Sequence, residues 1–442
     1  MICLLPNCCF LSETSRMLEI YGALRARGAD VRVATHGGTY EWALGAAGVP
    51  YDLLGAPMSA ERCATFVQSV PGIGAPDQSM WSDDELRAYV QAEVAYFREQ
   101  DVQVAVTGWT LTALLSTRVA EIPIVTEHAG SFLPPLFERR MLPAPSGPVG
   151  LPLERWLPQP VRRWLFNLGA ARLMIYTDGF NRIAAELGVD GLPSFPALLL
   201  GDLTLVTDVP EVLGIASPEL RAWVPRDPGR YRPTPRLRYT GPLYAKLPVP
   251  VADRVDRFLA GPRPIVYVAV TSSQATLVRQ IVTALRELDV RILVAATVHG
   301  LGDLNDEQVL VGEVLPSHEI MPRVDLAVIS GGQGSVQTAL ASGLPFIGVP
   351  LQPEQDANVF FAQRQRAARL LTPKAAGSAR LAKAAQQMLA DPGYRDNARR
   401  VQAIFAATDG AGAAADAILG LVGDRLGHAA RIRPGQVAPG RP

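Results

Sequence analysis

Short apolar runs alternate with amphipathic stretches along most of the chain. Residues 1–5 are apolar and of strand length, 12–27 place Met17, Leu18, Tyr21 and Leu24 at helical spacing, and 31–34 are apolar again. Strand, helix, strand in that order makes a right-handed parallel crossover. The same pattern predicts a helix over 85–99, a strand over 102–106, a helix over 110–120, and strands over 122–125 and 203–207. It restarts with a helix over 251–260, a strand over 265–270, a helix over 275–287, strands over 291–295 and 309–311, and a short helix over 317–321. A buried strand from Val324, a glycine-rich turn, a helix opening near Ser335 and a strand over 346–349 follow, and helices are expected over 358–369, 379–389, 394–407 and 412–422. The fold class is therefore α/β, with two doubly wound, Rossmann-like domains whose ligands belong at the carboxyl ends of parallel strands.

Two stretches interrupt the rhythm. Residues 225–250 are rich in proline and arginine and read as the connection between domains, which gives a first domain over 1–245 and a second over 246–405. A helix over 406–423 is expected to pack back on the first domain, and 424–442 to form a disordered tail. Residues 134–170 are rich in proline and carry Trp156, Trp164 and several arginines. They read either as a lid or acceptor-binding subdomain, with peripheral contact to a membrane surface as a further option, or as an amphipathic insertion whose tryptophans pack inward.

Composition narrows the field. Over 442 residues, 42 basic and 42 acidic side chains balance, so no polyanion such as nucleic acid is called for as a partner. Cys3, Cys8, Cys9 and Cys63 have neither metal-ligand spacing nor the layout of a disulfide framework, which fits a reducing cytoplasm. No uninterrupted apolar run reaches the roughly 18 residues needed to cross a bilayer, and a soluble protein is expected.

The most informative stretch is Ser330-Gly331-Gly332-Gln333-Gly334-Ser335, between a buried strand and a helix. Glycines let backbone approach a ligand closely, and the N–H groups of a helix start favour an anion such as a pyrophosphate. Candidate bases stand at other strand ends: Glu127 and His128 after the strand over 122–125, and His36 after the strand over 31–34.

Several signals occur in order: Leu315-Pro316-Ser317-His318-Glu319-Ile320-Met321-Pro322, Gly331-Gly332-Gln333-Gly334-Ser335, Gly343-Leu344-Pro345, and Pro353-Glu354-Gln355-Asp356-Ala357-Asn358. Together they resemble the nucleotide-sugar-dependent family-1 glycosyltransferases, in particular bacterial enzymes that decorate macrolides and other natural products. The resemblance spans residues 1 to about 422 and is strongest in the second half. It implies a GT-B architecture, with the acceptor on the first domain, a UDP- or dTDP-sugar on the second, and inverting transfer to a small hydroxylated acceptor in the cleft. It implies no metal and no cofactor beyond the sugar nucleotide.

Residue by residue, the resemblance makes Ser330, Gly331, Gly332, Gly334 and Ser335 the diphosphate turn, adds Thr271 and Ser272 as further phosphate contacts, and makes Leu315 a wall of the base site. Glu354 and Gln355 stand where the family binds sugar hydroxyls, and Asn358 is expected to start the following helix. Two positions depart from the pattern. Ser330 replaces the histidine that usually opens the phosphate turn, and Ser12-Glu13 stand where the family has Gly-His carrying its base. Glu13 is the expected replacement base, since a carboxylate in a dry cleft rises in pKa; the competing reading makes Ser12 a helix cap and Glu13 a first-turn charge. The alternatives to small-molecule transfer are a lipid-linked acceptor, a nucleotide-sugar epimerase of the same fold, and a non-catalytic auxiliary protein.

Overall fold

The computed structural model describes residues 1–69, 79–147, 156–231, 234–244, 246–247, 249–270, 273–296 and 300–432. Its first sheet contains β1 (Ile2–Leu4), β2 (Val31–Thr35), β3 (Tyr51–Leu53), β4 (Val104–Thr107), β5 (Ile124–His128), β6 (Leu203–Val206) and β7 (Arg236–Tyr239). The order is β3-β2-β1-β4-β5-β6-β7, and every pairing is parallel. The second sheet contains β8 (Ile265–Ala269), β9 (Arg291–Ala295), β10 (Val309–Gly312), β11 (Leu326–Ile329), β12 (Phe346–Gly348) and β13 (Ala368–Leu370). Its order is β10-β9-β8-β11-β12-β13, again all parallel.

These orders place two topological switch points, between β1 and β4 and between β8 and β11, where a crevice opens at the strand carboxyl ends. β1 is short, but all three of its residues are buried, and it pairs on both sides through Ile2 with Val31 and Val104. A strand buried on both faces needs a continuous apolar run, which is what residues 2–5 supply.

Three strands lay outside the sequence expectation. β7 falls inside the stretch read as irregular connection: Leu237 is buried while Arg236 and Arg238 are exposed, the alternation of an edge strand. β3, at the other edge, is similarly short and mostly exposed. β13 replaces the end of the helix expected over 358–369. That helix runs Pro353–Arg364, Arg366 takes a positive φ of 58°, and Ala368 then pairs with Phe346. Helix-favouring composition yields here to the hydrogen bonds of an unfinished sheet.

The C-terminal helix Gly410–Ile432 lies on the first domain, with Ala414, Ala415, Ile418 and Leu421 packed in one core cluster with Met17, Ile20 and Leu24. Arg27 Nε meets Asp416 Oδ1 at 2.6 Å across this contact. The helix continues to Ile432, into the stretch expected as tail, and 433–442 lie outside the described residues. Residues Pro392–Asp424 are long and apolar enough for a membrane span by composition, but this stretch is divided between two helices, and much of its apolar surface faces the core.

In the 134–170 region the tryptophans do not pack inward. Trp156 is 74% exposed and Trp164 47% exposed, and on the helix Gln159–Gly169 Val161 and Leu168 are exposed as well. Arg163 instead braces the insertion, its Nε donating to Leu142 O at 3.0 Å.

Candidate active site

The loop after β1 leads into the helix Leu11–Ala26, preceded by Phe10 with no side-chain cap. Ser12 is therefore inside the helix and not its cap. Glu13 points inward and is 1% exposed. Its Oε1 accepts the backbone N–H groups of Trp109 at 2.6 Å, Asn7 at 3.2 Å and Gly108 at 3.2 Å. Its Oε2 is buried without a hydrogen-bond partner. Burial raises the Glu13 carboxyl to about 8, against the pull of the Trp109 N–H, the Arg16 charge and the Asn7 N–H. Glu13 does stand in the first turn of this helix, as the competing reading has it, but it is buried there and Ser12 is not the cap.

Gly108 follows β4, at the switch point. A Cβ there would stand 3.1 Å from Glu127 Oε2 and 3.2 Å from Glu13 Oε1, so the absent side chain leaves room for two carboxylates side by side. Glu127 is fully buried at the end of β5; its Oε2 pairs with Arg16 Nε at 2.8 Å, and its Oε1 accepts from Thr207 Oγ1 at 3.1 Å. It is held by its partners and orients Arg16. His128, beside it, sets its ring edge-on to Trp109 with centroids 6.0 Å apart. Burial pushes His128 down to about 4, so it is a neutral imidazole at pH 7, and its Nε2 has no partner. Glu13 Oε2, His128 Nε2 and the indole Nε1 of Trp109 are thus buried polar atoms left unpaired on three residues that meet through Trp109. Buried polar groups are ordinarily paired, and such a set of atoms suits a hydroxyl-bearing ligand.

His36 belongs elsewhere. Its ring bonds Glu93 Oε1 at 2.8 Å and Leu54 O at 2.9 Å and stacks on Tyr89. Every polar atom of that imidazole has a protein partner, and it braces the first domain's core.

Across the seam stands the turn after β11. Gly331 has φ 89°, and a Cβ on it would lie 2.5 Å from Val359 Cγ2, so only glycine fits. Gly332 caps the helix Gln333–Ala341 without a side chain, leaving the helix-start N–H groups to other partners. Ser330 is buried, and Ser335 Oγ donates back to Gly332 O at 2.9 Å. Leu315 is buried apolar surface beside Gly312. Thr271 and Ser272 lie outside the described residues.

The pair after β12 divides its labour. Gln355 is buried, and its Oε1 accepts from Leu351 N at 2.8 Å, which holds the loop's own shape. Glu354 reaches toward the turn: Asn358 Nδ2 donates to its Oε1, and burial raises its carboxyl to about 7 against that bond, the Arg16 charge and the Gln333 backbone. Asn358 does not start a helix, since the helix begins at Pro353. It sits in the second turn, where its Nδ2 also donates to Gly331 O at 3.0 Å and ties that helix to the glycine turn.

Comparison with known proteins bears on this geometry. Residues 279–413 match the family model described as erythromycin biosynthesis protein CIII-like, C-terminal domain. The chain is 27% identical over 326 residues to a PGL/p-HBAD biosynthesis glycosyltransferase of Mycobacterium tuberculosis, covering 72% of this chain and 71% of that one. It is 28% identical over 329 residues to a PGL/p-HBAD biosynthesis rhamnosyltransferase of Mycobacterium bovis, covering 72% and 67%. The solved structure of the glycosyltransferase VinC in complex with dTDP superposes with a TM-score of 0.63 at 16% identity, covering 96% of this chain and 100% of that one. The chain shares the GT-B fold of that structure and is similar to glycosyltransferases over most of its length.

The contacts that join the two domains bring residues the sequence did not single out, Thr207, Ser131 and Ser146, against ones it did, and Gln337, also not singled out, against Thr207. Gln333 Nε2 donates to Thr207 Oγ1 and lies 3.4 Å from Glu127 Oε1, and Gln337 Nε2 donates to Thr207 O. Ser131 Oγ donates to Asn358, and Ser146 N donates to Asp356 Oδ2 at 2.9 Å. Asp208, beside Thr207, is buried in the same seam, and burial raises its carboxyl to about 7. Thr207 and Asp208 follow β6, at the carboxyl end of a parallel strand, so the rule that pointed to Glu127 would also have pointed to them.

Proposed function

We propose that this protein is a glycosyltransferase that moves a sugar, with inversion, from a dTDP- or UDP-linked donor to a hydroxyl of a small natural-product-like acceptor, with Glu13 as the base. The observation that carries the reading is the position of Glu13 at the seam. A Cβ on Gly334, in the glycine turn, would be 3.5 Å from the Cβ of Ser12, the residue before Glu13. A buried carboxyl with an unpaired oxygen thus stands beside the helix start suited to a diphosphate.

In the proposed step the acceptor hydroxyl gives its proton to Glu13 Oε2 while its oxygen forms a bond to the anomeric carbon. The bond from that carbon to the diphosphate oxygen breaks, and the nucleoside diphosphate leaves with the electron pair. One displacement inverts the anomeric centre. The N–H groups of Trp109, Asn7 and Gly108 on Oε1 hold the carboxylate in place and moderate its charge, and the helix start at Gln333 faces the charge that grows on the leaving group. The dTDP bound by VinC and the rhamnosyltransferase named among the relatives support a deoxysugar nucleotide.

The test is a matrix of dTDP- and UDP-sugars against hydroxylated acceptors, scored by nucleoside diphosphate release and by the anomeric configuration of the product. Acceptor-dependent release with an inverted product supports the reading; a retained configuration contradicts it. One observation favours a second acceptor class. The exposed face formed by Val161, Trp164 and Leu168 on the first domain suits an acceptor carried at a lipid surface.

A further inference from the structure

Ser330 leaves the phosphate turn without the cation or ring donor that the family's histidine brings to that position, yet a departing diphosphate carries several negative charges. Arg16 is the only arginine or lysine among the buried described residues, at 8% exposure. It lies one helical turn beyond Ser12, so the two share the face of the helix Leu11–Ala26 that meets Gly334. Its Nε is fixed on Glu127 Oε2 at 2.8 Å, and among the described residues its two terminal nitrogens make no hydrogen bond. Its charge is felt by Glu13 on one side and by Glu354, which faces the Gln333 backbone, on the other.

We infer that Arg16 supplies from the acceptor domain the positive charge that the donor-domain turn lacks, its free guanidinium nitrogens facing the diphosphate of the bound donor while Glu127 holds the Nε edge. A guanidinium fork suits this task because two parallel N–H donors match phosphate oxygens, and a planar group anchored at Nε spends little freedom on binding. Glu127 is accordingly a positioning residue, acting through Arg16. The arrangement ties catalysis to domain closure, since a cation on one domain completes an anion site on the other.

The inference rests on the nucleotide-sugar reading, and one experiment separates the two. Affinities for dTDP and dTMP, and for UDP and UMP, are measured by calorimetry on the full chain, on Arg16→Lys, and on the double variant Arg16→Gln/Glu127→Gln, which removes the buried pair together. Circular dichroism and thermal melting confirm that each variant is folded. The expected result is that the wild type prefers the diphosphate, that the double variant loses about 10- to 100-fold in diphosphate affinity with monophosphate affinity unchanged, and that Arg16→Lys falls between. In turnover with a sugar nucleotide, kcat should fall more than KM rises, because charge on the leaving group is greatest in the transition state. Equal loss for mono- and diphosphate, or no loss in a folded variant, would overturn the role of Arg16. A wild type that binds no nucleotide at all would instead overturn the donor reading beneath it.

Discussion

Glu13 and Trp109 lie 96 residues apart in sequence, yet the Trp109 backbone N–H donates to Glu13 Oε1 at 2.6 Å. The bond bridges the two loops of the first switch point, after β1 and after β4, and leaves the other carboxylate oxygen unpaired at the seam. Glu13 is thereby held in one orientation by backbone that a side-chain substitution cannot remove.

The pH dependence follows from that burial. The Glu13 carboxyl is raised from its ordinary 4.5 to about 8, and a base works only when deprotonated. Values of kcat/KM should therefore rise with pH through about 8 and then level. A plateau reached below pH 6 would show that another group governs the step.

Stability should move the opposite way. Between about 4.5 and about 8 the folded protein keeps a proton on Glu13 that the unfolded chain releases, so this contribution is full below 4.5 and is lost as pH rises through 8. Glu13→Gln should remove that slope, leaving the variant more stable than wild type relative to their difference at low pH. Denaturant titrations at pH 5 and pH 8.5 measure it; parallel curves for both proteins would contradict the assigned shift.

Gly331→Ala should be costly. With φ 89° and Val359 Cγ2 at 2.5 Å from any added Cβ, strain of about 1–3 kcal/mol is expected, with displacement of the turn that Asn358 holds. Melting temperature and diphosphate affinity should fall together. Gly332→Ala, whose Cβ would meet nothing closer than Ser335 Oγ at 4.0 Å and whose φ is −60°, should be milder.

The exposed helix face is tested on vesicles. If Val161, Trp164 and Leu168 meet a lipid surface, wild type should sediment with anionic liposomes, and Trp164→Ser/Leu168→Ser should not, with transfer to a soluble acceptor unchanged. Wild type that stays in the supernatant would leave the small soluble acceptor as the remaining reading.

Much of this architecture is legible in the sequence because it depends on local pattern. Apolar runs such as 265–270 and 291–295 announce the parallel strands, and the glycine turn announces the helix start beside them. Edge strands escape: β7 alternates arginine with leucine over four residues, and β13 consists of helix-favouring residues held extended only by pairing to β12. The site divides the same way. Glu13 is singled out by matching the family's pattern after the first strand, whereas Arg16 reads as an ordinary helix residue until folding brings Glu127, 111 positions away, to its Nε. Gln355 shows the converse, a residue in the expected place whose side chain turns to its own loop.

The most direct measurement is the single-turnover rate of Glu13→Gln beside wild type, at pH 8.5, with donor saturating and donor affinity determined separately. Loss of a general base predicts a fall of about 100- to 10,000-fold in rate with donor affinity little changed. A folded Glu13→Gln that binds donor and transfers sugar at the wild-type rate would contradict the assignment of Glu13 as the base.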